Sequence, residues 1–279
     1  MFGISFSFRA LNQAGALVHI YHGDGSVLIS HGGVEMGQGL HTKMCQVAAT
    51  ELQLPLEMIF ISETATDKVP NASPAAASYS SDLYGMAVRN ACQELNRNLA
   101  PCKAALGDTA SWLNVVSHAW LNRISLFATG FYKTPEIDDL DLAKPGSTGS
   151  PFFYYTNGAA VSEVEIDVLT GESKNLRTDI VMDVGRPLNP ALDVGQIEGA
   201  FKDTNHSSKG IGEPPLFLAA SVFFAIRDAI RSSRLQYGRD EWFQQDSPAS
   251  VERIGLAFCD DLLRRVVPDE EGVRPKLTL

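Results

Sequence analysis

The sequence predicts an α+β protein with mixed sheets and packed helices. Two segments have the pattern of β-strands joined by tight turns: residues 14–31, around His22-Gly23-Asp24-Gly25, and residues 163–183, around Leu169-Thr170-Gly171-Glu172. Five other segments place apolar residues three or four positions apart, which is typical of helices that bury one face. They lie at residues 40–54, 82–99, 189–200, 214–230 and 250–266.

The first half of the chain begins with strands at 16–21 and 26–30, which enter a glycine-rich loop at 32–39. The helix that follows begins at Leu40 and runs until Pro55. Pro101 ends a second helix, and the serines ahead of that helix can cap its first turn. The other elements of this half are a buried strand at 58–61, a loop at 69–74, the second helix at 82–99, a short helix at 106–120 and a strand at 123–129.

The second half opens on residues 132–152, whose Pro, Gly, Ser and Asp content indicates a long surface loop. In the next strand Val164, Ile166 and Val168 alternate with acidic residues, so one face is buried and the other wet. A partner strand runs from Asn175 to Asp183. We expect one domain over residues 1–265 and a tail over 266–279. The inward faces of the last two helices are Leu216, Ala220, Phe223, Ile226 and Ile230, and Val251, Ile254, Phe258, Leu262 and Leu263.

Composition and charge exclude several classes of function. The chain carries a net charge of -10 over 279 residues and has no basic run, which does not suit a nucleic-acid partner. No apolar run reaches membrane-spanning length, and residues 1–5 have neither the basic start nor the cleavage site of a signal peptide. We therefore expect residence in the cytosol or an organelle lumen, without a membrane partner.

The cysteines and histidines do not predict a metal held directly by the protein. Cys45, Cys92, Cys102 and Cys259 form no C-x-x-C pair, and no two histidines have the H-x-x-x-H spacing. We expect the cysteines to be reduced and buried. A metal in this chain is expected to come within a cofactor.

Two local patterns leave a structural and a functional interpretation open. Strand, glycine-rich loop and helix at 26–52 offer backbone N–H groups to a phosphate, but the glycines of 32–39 equally suit a tight turn, and no nucleotide-binding motif matches. Glu213 precedes Pro214-Pro215 at a predicted helix start. It either complements the helix dipole, which the local pattern favours, or accepts a proton in a dry pocket.

Four segments, taken together and in this order, resemble the xanthine dehydrogenase and aldehyde oxidase family of molybdenum hydroxylases. They are Gly-Gly-Val-Glu-Met-Gly-Gln-Gly-Leu-His-Thr-Lys (32–43), Val-Pro-Asn-Ala-Ser-Pro-Ala-Ala-Ala-Ser (69–78), Asn-Leu-Arg-Thr-Asp-Ile-Val-Met-Asp-Val-Gly (175–185) and Ser-Lys-Gly-Ile-Gly-Glu-Pro-Pro (208–215). The resemblance covers nearly all of residues 2–265. It implies the fold of the second molybdopterin-binding domain of that type, the C-terminal half of the molybdenum-cofactor region.

The resemblance also implies a set of cofactor contacts. Gln38 and Gln196 match amides near the pterin. Ala76, Ala77 and Ser78 match the segment that lies against the metal and its pterin, with Ala77 closest to the molybdenum. The residue types agree with this role, because small side chains and backbone amides let a large polar anion approach closely.

Three further residues match catalytic and substrate positions of the family. Glu213 matches the acid that takes a proton from a metal-bound hydroxyl, so that the oxygen attacks a ring carbon and hydride passes to molybdenum. Phe6 matches an aromatic that packs against a flat purine, although on its own it would suit a core. Ser7 keeps a hydroxyl where the family commonly has threonine. Together with Ser73-Pro74 and Pro214-Pro215, Phe6 favours the xanthine side over the aldehyde oxidases.

The activity implied by the resemblance is oxidation of hypoxanthine and xanthine to urate in purine catabolism. The implied cofactor is molybdopterin with molybdenum. Longer members also bind iron in iron–sulfur clusters, carry FAD and reduce NAD or oxygen. They form homodimers in the cytoplasm, with the peroxisome as the alternative compartment.

The chain departs from the family by what it lacks. The iron–sulfur and flavin domains and the first half of the molybdenum region have no counterpart in the sequence. Residues 202–206 stand where the family has several tens of residues, which predicts an internal deletion. We expect a fragment that is incomplete as a catalyst. An aldehyde oxidase-like fragment and a non-catalytic remnant are the alternatives.

Overall fold

The computed structural model describes residues 2–4, 11–107, 109–135, 145–146, 152, 154–202 and 214–258. The chain divides into two compact units, Met1–Gly158 with Met182–Phe217, and Ala159–Val181 with Leu218–Leu279. In chain order the elements are β1 (Phe2–Ile4), β2 (Gln13–Ile20), β3 (Val27–His31), α1 (Leu40–Leu52), β4 (Ile59–Ile61), α2 (Ser80–Leu106), α3 (Trp112–Leu121), β5 (Phe127–Lys133), β6 (Tyr154–Thr156), β7 (Gly158–Ile166), β8 (Ser173–Met182), α4 (Pro190–Lys202), α5 (Ala220–Gln236) and α6 (Val251–Phe258).

The first unit is built on a mixed sheet in the order β4-β3-β2-β5. β2 is antiparallel to both β3 and β5, whereas β3 and β4 are parallel and are joined through α1. Alternate residues of β2 are buried, so one face of the sheet forms the core and the other does not. The predicted combination of mixed sheets and packed helices is confirmed.

The long helix α2 covers the buried face of this sheet. Its stripe of Leu83, Ala87, Ala91, Leu95 and Leu99 is fully buried, as the spacing predicts. β5 approaches the helix so closely that a Cβ at Gly130 would lie 1.9 Å from the carbonyl oxygen of Ala87. A glycine is therefore required where strand and helix backbones meet.

A short ribbon, β1 paired antiparallel with β6, also belongs to the first unit. Ile4 lies opposite Tyr154 and Phe2 lies opposite Thr156. The Thr156 hydroxyl donates to the carbonyl of Asp183, and the N–H of Asp183 donates to the carbonyl of Asn157 at 2.8 Å. These bonds attach the ribbon to the segment that leads into α4.

The second unit has a separate and smaller core. Its buried residues are Ile226 and Ile230 of α5 and Ile254 of α6, with Val164 and Ile166 of β7 packed against them. β7 and β8 form a two-stranded sheet, and their six-residue connection makes the pair a hairpin. Among the described residues, the hydrophobic core of this unit has far fewer buried members than the core of the first unit.

Several predicted helix boundaries are wrong. α2 continues through Pro101 to Leu106, because Leu99 and Cys102 on either side of the proline are both buried and packing outweighs the lost hydrogen bond. α3 accordingly begins at Trp112 and not at residue 106. The serines do not cap α2, whose N-cap residue is Tyr79 without a side-chain hydrogen bond.

Some predicted strands and faces are also wrong. β5 runs over Phe127–Lys133 and not 123–129. Val168 is exposed because β7 ends at Ile166 and the turn begins. Leu216 is exposed and Leu218 is buried, because Pro214–Ala219 forms a 3₁₀ turn, which changes the phase of the buried face before α5 begins. Val251, the first residue of α6, is exposed too.

Other predictions are confirmed or lie outside the described residues. Cys92 and Cys102 are buried free thiols and Cys45 is a half-buried one. Cys259, Leu262 and Leu263 lie outside the described part, as does most of 132–152. No helix in the described ranges combines the length and apolar character needed to cross a membrane.

Candidate functional site

Two of the recognised segments lie against each other at the end of β3. A Cβ at Gly32 would lie 2.5 Å from the Cβ of Ala72, and one at Gly33 would lie 2.9 Å from the ring of Tyr84. The start of the glycine loop is therefore packed against the 69–84 region without room for a side chain. Gly32 and Gly33 serve this close packing.

The N–H groups of the glycine loop are directed at a carboxylate of the chain itself. Gly37 and Gly39 donate to Oε1 of Glu35, and the backbone N–H of His41 donates to Oε2, each at 2.9 Å. Burial alone would raise the pKa of Glu35, but these three hydrogen bonds outweigh it and hold the pKa below its ordinary value. The sequence left open whether the loop binds a phosphate or forms only a tight turn. The structure favours the turn, because these N–H groups already donate to a side chain of the loop.

Gln38, predicted to contact the pterin, is half-buried on the same loop. Its Oε1 accepts the N–H of Met36 at 2.6 Å, and its Nε2 donates to the carbonyl of Val34 at 2.7 Å. A primary amide has two N–H groups and two acceptor lone pairs. One donor and one acceptor of Gln38 remain for a ligand beyond these two contacts.

The Ala76–Ser78 segment forms a strained turn directly before α2. The N–H of Tyr79 donates to the carbonyl of Ala76 at 3.3 Å, and the two central residues, Ala77 and Ser78, have φ values of 48° and 52°. This left-handed region is costly for residues other than glycine and asparagine, and such strain is concentrated at functional sites. Ala76 itself is exposed, and Ala77 and Ser78 are half-buried.

A buried lysine lies beside the end of α2 that follows this turn. The first turn of α2 has no side-chain cap, so its N–H groups point out of the helix end. Lys43 of α1 is almost completely buried, and its Nζ donates to Oγ of Ser81 at 3.3 Å. A buried ammonium and a helix N-terminus both favour negative charge at that place, and the carboxylate of Asp82 in the first turn of α2 supplies part of it.

The start of α4 joins the glycine loop in the same unit. Nε2 of Gln46 donates to the carbonyl of Leu188 at 3.2 Å, and a Cβ at Gly39 would lie 2.7 Å from Cδ1 of Leu192. On α4, Gln196 is 3% exposed, and its Oε1 has no hydrogen-bond partner among the described residues. A buried amide oxygen without a partner indicates that a donor group belongs beside it.

The β1–β6 ribbon brings the beginning of the chain towards the same helix end. The hydroxyl of Tyr154, which lies opposite Ile4, donates to Oδ2 of Asp82 at 2.7 Å. Asp82 belongs to the first turn of α2. Ile4 is the last described residue before Phe6 and Ser7, which both lie outside the described part. Glu213 lies outside it as well, directly before the 3₁₀ turn that begins at Pro214.

The described residues fit a large anionic cofactor. Gln196 offers an unused buried oxygen, Gln38 keeps free donor and acceptor capacity, and the Ala76–Ser78 turn has small side chains before an uncapped helix end. In the described part, no group of three or more His, Cys, Asp or Glu residues could hold a metal ion directly.

Sequence reasoning missed the polar residues that support this site. His31 is fully buried, with Nδ1 accepting the N–H of Gly33 and Nε2 lying 3.0 Å from Nδ1 of His41. The spacing of His31 and His41 matches no ligand motif. The two rings meet because the 32–39 loop between them brings the start of α1 back to the end of β3. Lys43 and Glu35 stood within a recognised segment, but their burial and partners had no sequence signal.

Comparison with known proteins agrees with this geometry. The molybdopterin cofactor-binding domain family matches residues 1–203. The chain belongs to this family. Xanthine dehydrogenase/oxidase of Gallus gallus is 48% identical to this molybdopterin cofactor-binding domain over 320 residues, which cover 97% of the chain and 23% of the relative. The prediction of a xanthine dehydrogenase-type domain is thereby confirmed.

Solved structures support the fold of the domain. Quinoline 2-oxidoreductase from Pseudomonas putida 86 has a TM-score of 0.73 at 18% identity, covering 93% of this chain and 41% of its own. Aldehyde oxidoreductase from Desulfovibrio gigas has a TM-score of 0.71 at 21% identity, covering 92% and 31%. At these identities the likeness concerns the fold alone.

The domain is short relative to its relatives. It spans 23% of the length of the Gallus gallus enzyme, and the alignment extends over 320 residues although the chain has 279. The relative therefore carries residues within the aligned region that this chain lacks. The place of the gap, near residues 202–206, stays a prediction.

Proposed function

We propose that this domain is the cofactor-holding part of a xanthine dehydrogenase-like molybdenum hydroxylase that oxidises hypoxanthine and xanthine to urate. The observation that carries the proposal is the packing of the 32–39 loop against the 69–81 segment beside the uncapped end of α2. The substrate class is taken from the relative named xanthine dehydrogenase/oxidase, at 48% identity. Because the chain spans 23% of that relative, the reaction needs parts outside this domain.

When bound, the molybdenum cofactor supplies hydroxylation of a carbon with oxygen from water and removal of two electrons. The residues of this chain hold and orient it. In this proposal Gln196 accepts a hydrogen bond from the pterin with its free Oε1, and Gln38 uses its remaining donor and acceptor. Ala76, Ala77 and Ser78 let the cofactor approach the backbone, with Ala77 next to the metal.

Glu213 is the proposed general base, and Phe6 and Ser7 are the proposed substrate contacts. A carboxylate directly before the Pro214 turn would accept the proton released as the new C–O bond forms. Phe6 would pack on the flat face of the purine, and Ser7 would hydrogen-bond to it. In the complete enzyme, electrons would leave through iron–sulfur clusters and FAD to NAD or oxygen, in a cytoplasmic homodimer.

Expression of the full chain in a host that makes molybdopterin tests the cofactor assignment. Molybdenum per chain and the fluorescence of the oxidised pterin are measured on the purified chain. Urate formation from hypoxanthine and aldehyde oxidation are measured on the complete enzyme that contains this domain, because the reaction needs parts outside it. Molybdenum with purine turnover supports the proposal, and aldehyde turnover alone transfers it to the aldehyde oxidases. A folded chain without pterin or metal would identify a non-catalytic remnant.

Glu213→Gln tests the base assignment in the holoenzyme that contains this domain. We expect a loss of about 10²–10⁴-fold in urate formation, because a general base commonly contributes that much, while molybdenum content stays unchanged. Glu198→Gln is the matched control, since Glu198 is an exposed acid on α4. Wild-type turnover in Glu213→Gln would remove the assignment.

A further inference from the structure

The carboxylate of Glu35 occupies the position in the 32–39 loop that a bound anion would take. Its two oxygens accept the N–H groups of Gly37, Gly39 and His41, each at 2.9 Å. Gly37 and Gly39 have φ values of 97° and 72°, a left-handed conformation that turns successive N–H groups towards one point. Hydrogen bonds to an ionised acceptor are about twice as strong as neutral ones.

These donors bracket Gln38 in the chain. Gly37 stands directly before it and Gly39 directly after it, so two bonds to the same Oε1 atom fix the backbone on both sides. The side-chain amide of Gln38 then closes on Met36 and Val34 within the same turn. The orientation of Gln38 therefore depends on whether Glu35 holds its neighbours.

The third donor connects the Glu35 carboxylate to the protein core. The backbone of His41 reaches Glu35, while its ring lies 3.0 Å from the fully buried ring of His31. Because Nδ1 of His31 accepts the N–H of Gly33, a neutral His31 carries its proton on Nε2 and donates it to His41. The loop is thus attached to the core at Gly33 and at His41.

We propose that Glu35 is a positioning residue, which acts as the internal anion of the glycine loop and holds Gln38 where it contacts the cofactor. The contact of Gln38 with the cofactor rests on the proposed function, whereas the clamp around Glu35 does not. The loop is then no phosphate site of its own. Its donors orient a neighbouring amide.

Hydrogen exchange on the full chain tests the clamp, with the amides of Gly37, Gly39 and His41 observed by selective ¹⁵N labelling. In Glu35→Ala we expect these amides to exchange at least about tenfold faster, since three charge-assisted hydrogen bonds are lost. Formate, the smallest carboxylate, should restore their protection, and chloride at equal ionic strength should not. Glu57→Ala, which removes an exposed acid before β4, is the matched control and should leave all three unchanged.

Glu35→Gln provides a second variant with an unchanged side-chain length. It keeps one acceptor oxygen and should give intermediate exchange at the three amides, so the proposal stays testable if Glu35→Ala fails to fold. Wild-type exchange in both variants, or protection that formate does not restore in Glu35→Ala, would overturn the internal-anion role.

Molybdenum per chain, measured after expression with the cofactor, tests the positioning role. We expect a fall of about tenfold or more in Glu35→Ala, a size typical of residues that support ligands of a metal site. Equal molybdenum in wild type and variant, despite faster exchange, would overturn the positioning of Gln38. If Glu35→Ala exchanges faster but the wild type also binds no molybdenum, the hydrogen bonds around Glu35 are supported. The contact of Gln38 with the cofactor is then rejected together with the proposed function.

Discussion

Two buried tyrosines beside the start of α2 have hydroxyls in opposite situations. The hydroxyl of Tyr84 donates to the carbonyl of Ser73 at 3.0 Å, whereas that of Tyr79 has no hydrogen-bond partner among the described residues. Both side chains are 1% exposed. Burial raises the pKa of Tyr79, and burial together with Tyr79 raises that of Tyr84 to about 12. Both phenols are therefore neutral at physiological pH.

This contrast predicts opposite effects for the same chemical change. Tyr79→Phe removes a buried hydroxyl that lacks a partner and should raise the free energy of unfolding by about 1 kcal/mol. Tyr84→Phe leaves the Ser73 carbonyl without its donor and should lower it by about 1–2 kcal/mol. Urea unfolding of the two variants measures both changes. A clear loss of stability in Tyr79→Phe would show that its hydroxyl is hydrogen-bonded in the folded protein.

His31 makes stability depend on pH in a defined window. Burial, and then the charge of His41, lower its pKa from 6.5 to about 4, against the opposing effect of Glu35. Between these values the unfolded chain binds a proton at this position and the folded chain does not. The contribution of His31 to the free energy of unfolding is therefore fully present above pH 6.5 and is lost as the pH falls towards 4.

We expect His31 to account for a loss of roughly 3 to 4 kcal/mol at most across that window, since one pKa unit corresponds to about 1.4 kcal/mol. Unfolding measured from pH 7 to 4 should show a shallower dependence in His31→Gln than in the wild type. His22→Gln, at an exposed ring stacked on Trp120, is the control. The pKa of Glu35 is lowered from its ordinary value of 4.5, so its own contribution is fully present above that pH and begins to be lost only at the acid end of this window. An unchanged slope in His31→Gln would show that His31 is not neutral and buried.

Among the elements, β5 and α2 meet closely enough to test the core directly. A Cβ at Gly130 would lie 1.9 Å from the oxygen of Ala87 and 2.7 Å from the nitrogen of Ala91, both backbone atoms that no rotamer change can move. Gly130→Ala should therefore lower the free energy of unfolding by at least about 3 kcal/mol. In Gly23→Ala the new Cβ meets nothing within 4 Å, and a change within about 0.5 kcal/mol is expected. A tolerated Gly130→Ala would mean that β5 lies farther from α2.

Sequence patterns identified most elements of this fold because burial has a period. The stripe on α2 and the alternation around Val164 and Ile166 follow directly from that period. Local breakers were less informative. Pro101 reads as a helix end, yet the buried side chains on both sides of it keep the helix intact. Pro214 and Pro215 before α5 indicate a helix start, but they do not indicate the 3₁₀ turn that changes which side chains are buried.

The residues of the candidate site were predicted from the resemblance to a family and not from local sequence patterns. Spacing alone left Gln38 and Gln196 as two unrelated amides, and nothing in it marked the buried free oxygen of Gln196. The sequence left two roles open for the glycine loop, a phosphate site and a tight turn, and in the structure its N–H groups donate to a carboxylate of the loop itself. That the anion is Glu35 itself depends on a backbone conformation with positive φ at Gly37 and Gly39, which the sequence permits but does not specify.

For the molecule as a whole, the two units differ in how much apolar surface they bury. The first unit has a large core formed by its sheet, α1, α2 and α3, whereas the hydrophobic core of the second, within its described part, is built on three buried residues, Ile226, Ile230 and Ile254. Hydrophobic burial is the dominant favourable contribution to folding. The second unit should therefore open at a lower free energy than the first, as a separate cooperative unit.

Two core variants, one in each unit, test this separation. Ile230→Ala, at a residue with no exposed surface, costs about 2–5 kcal/mol and should release the amides of α5 and α6 to exchange while those of α1 and α2 stay protected. Leu95→Ala removes the same kind of side chain from the first core and should accelerate exchange in α1, α2 and β2. Hydrogen exchange with mass spectrometry resolves the two patterns. If either variant accelerates both units equally, the two cores unfold as one body, and the small core around Ile230 is stabilised by more than its own residues.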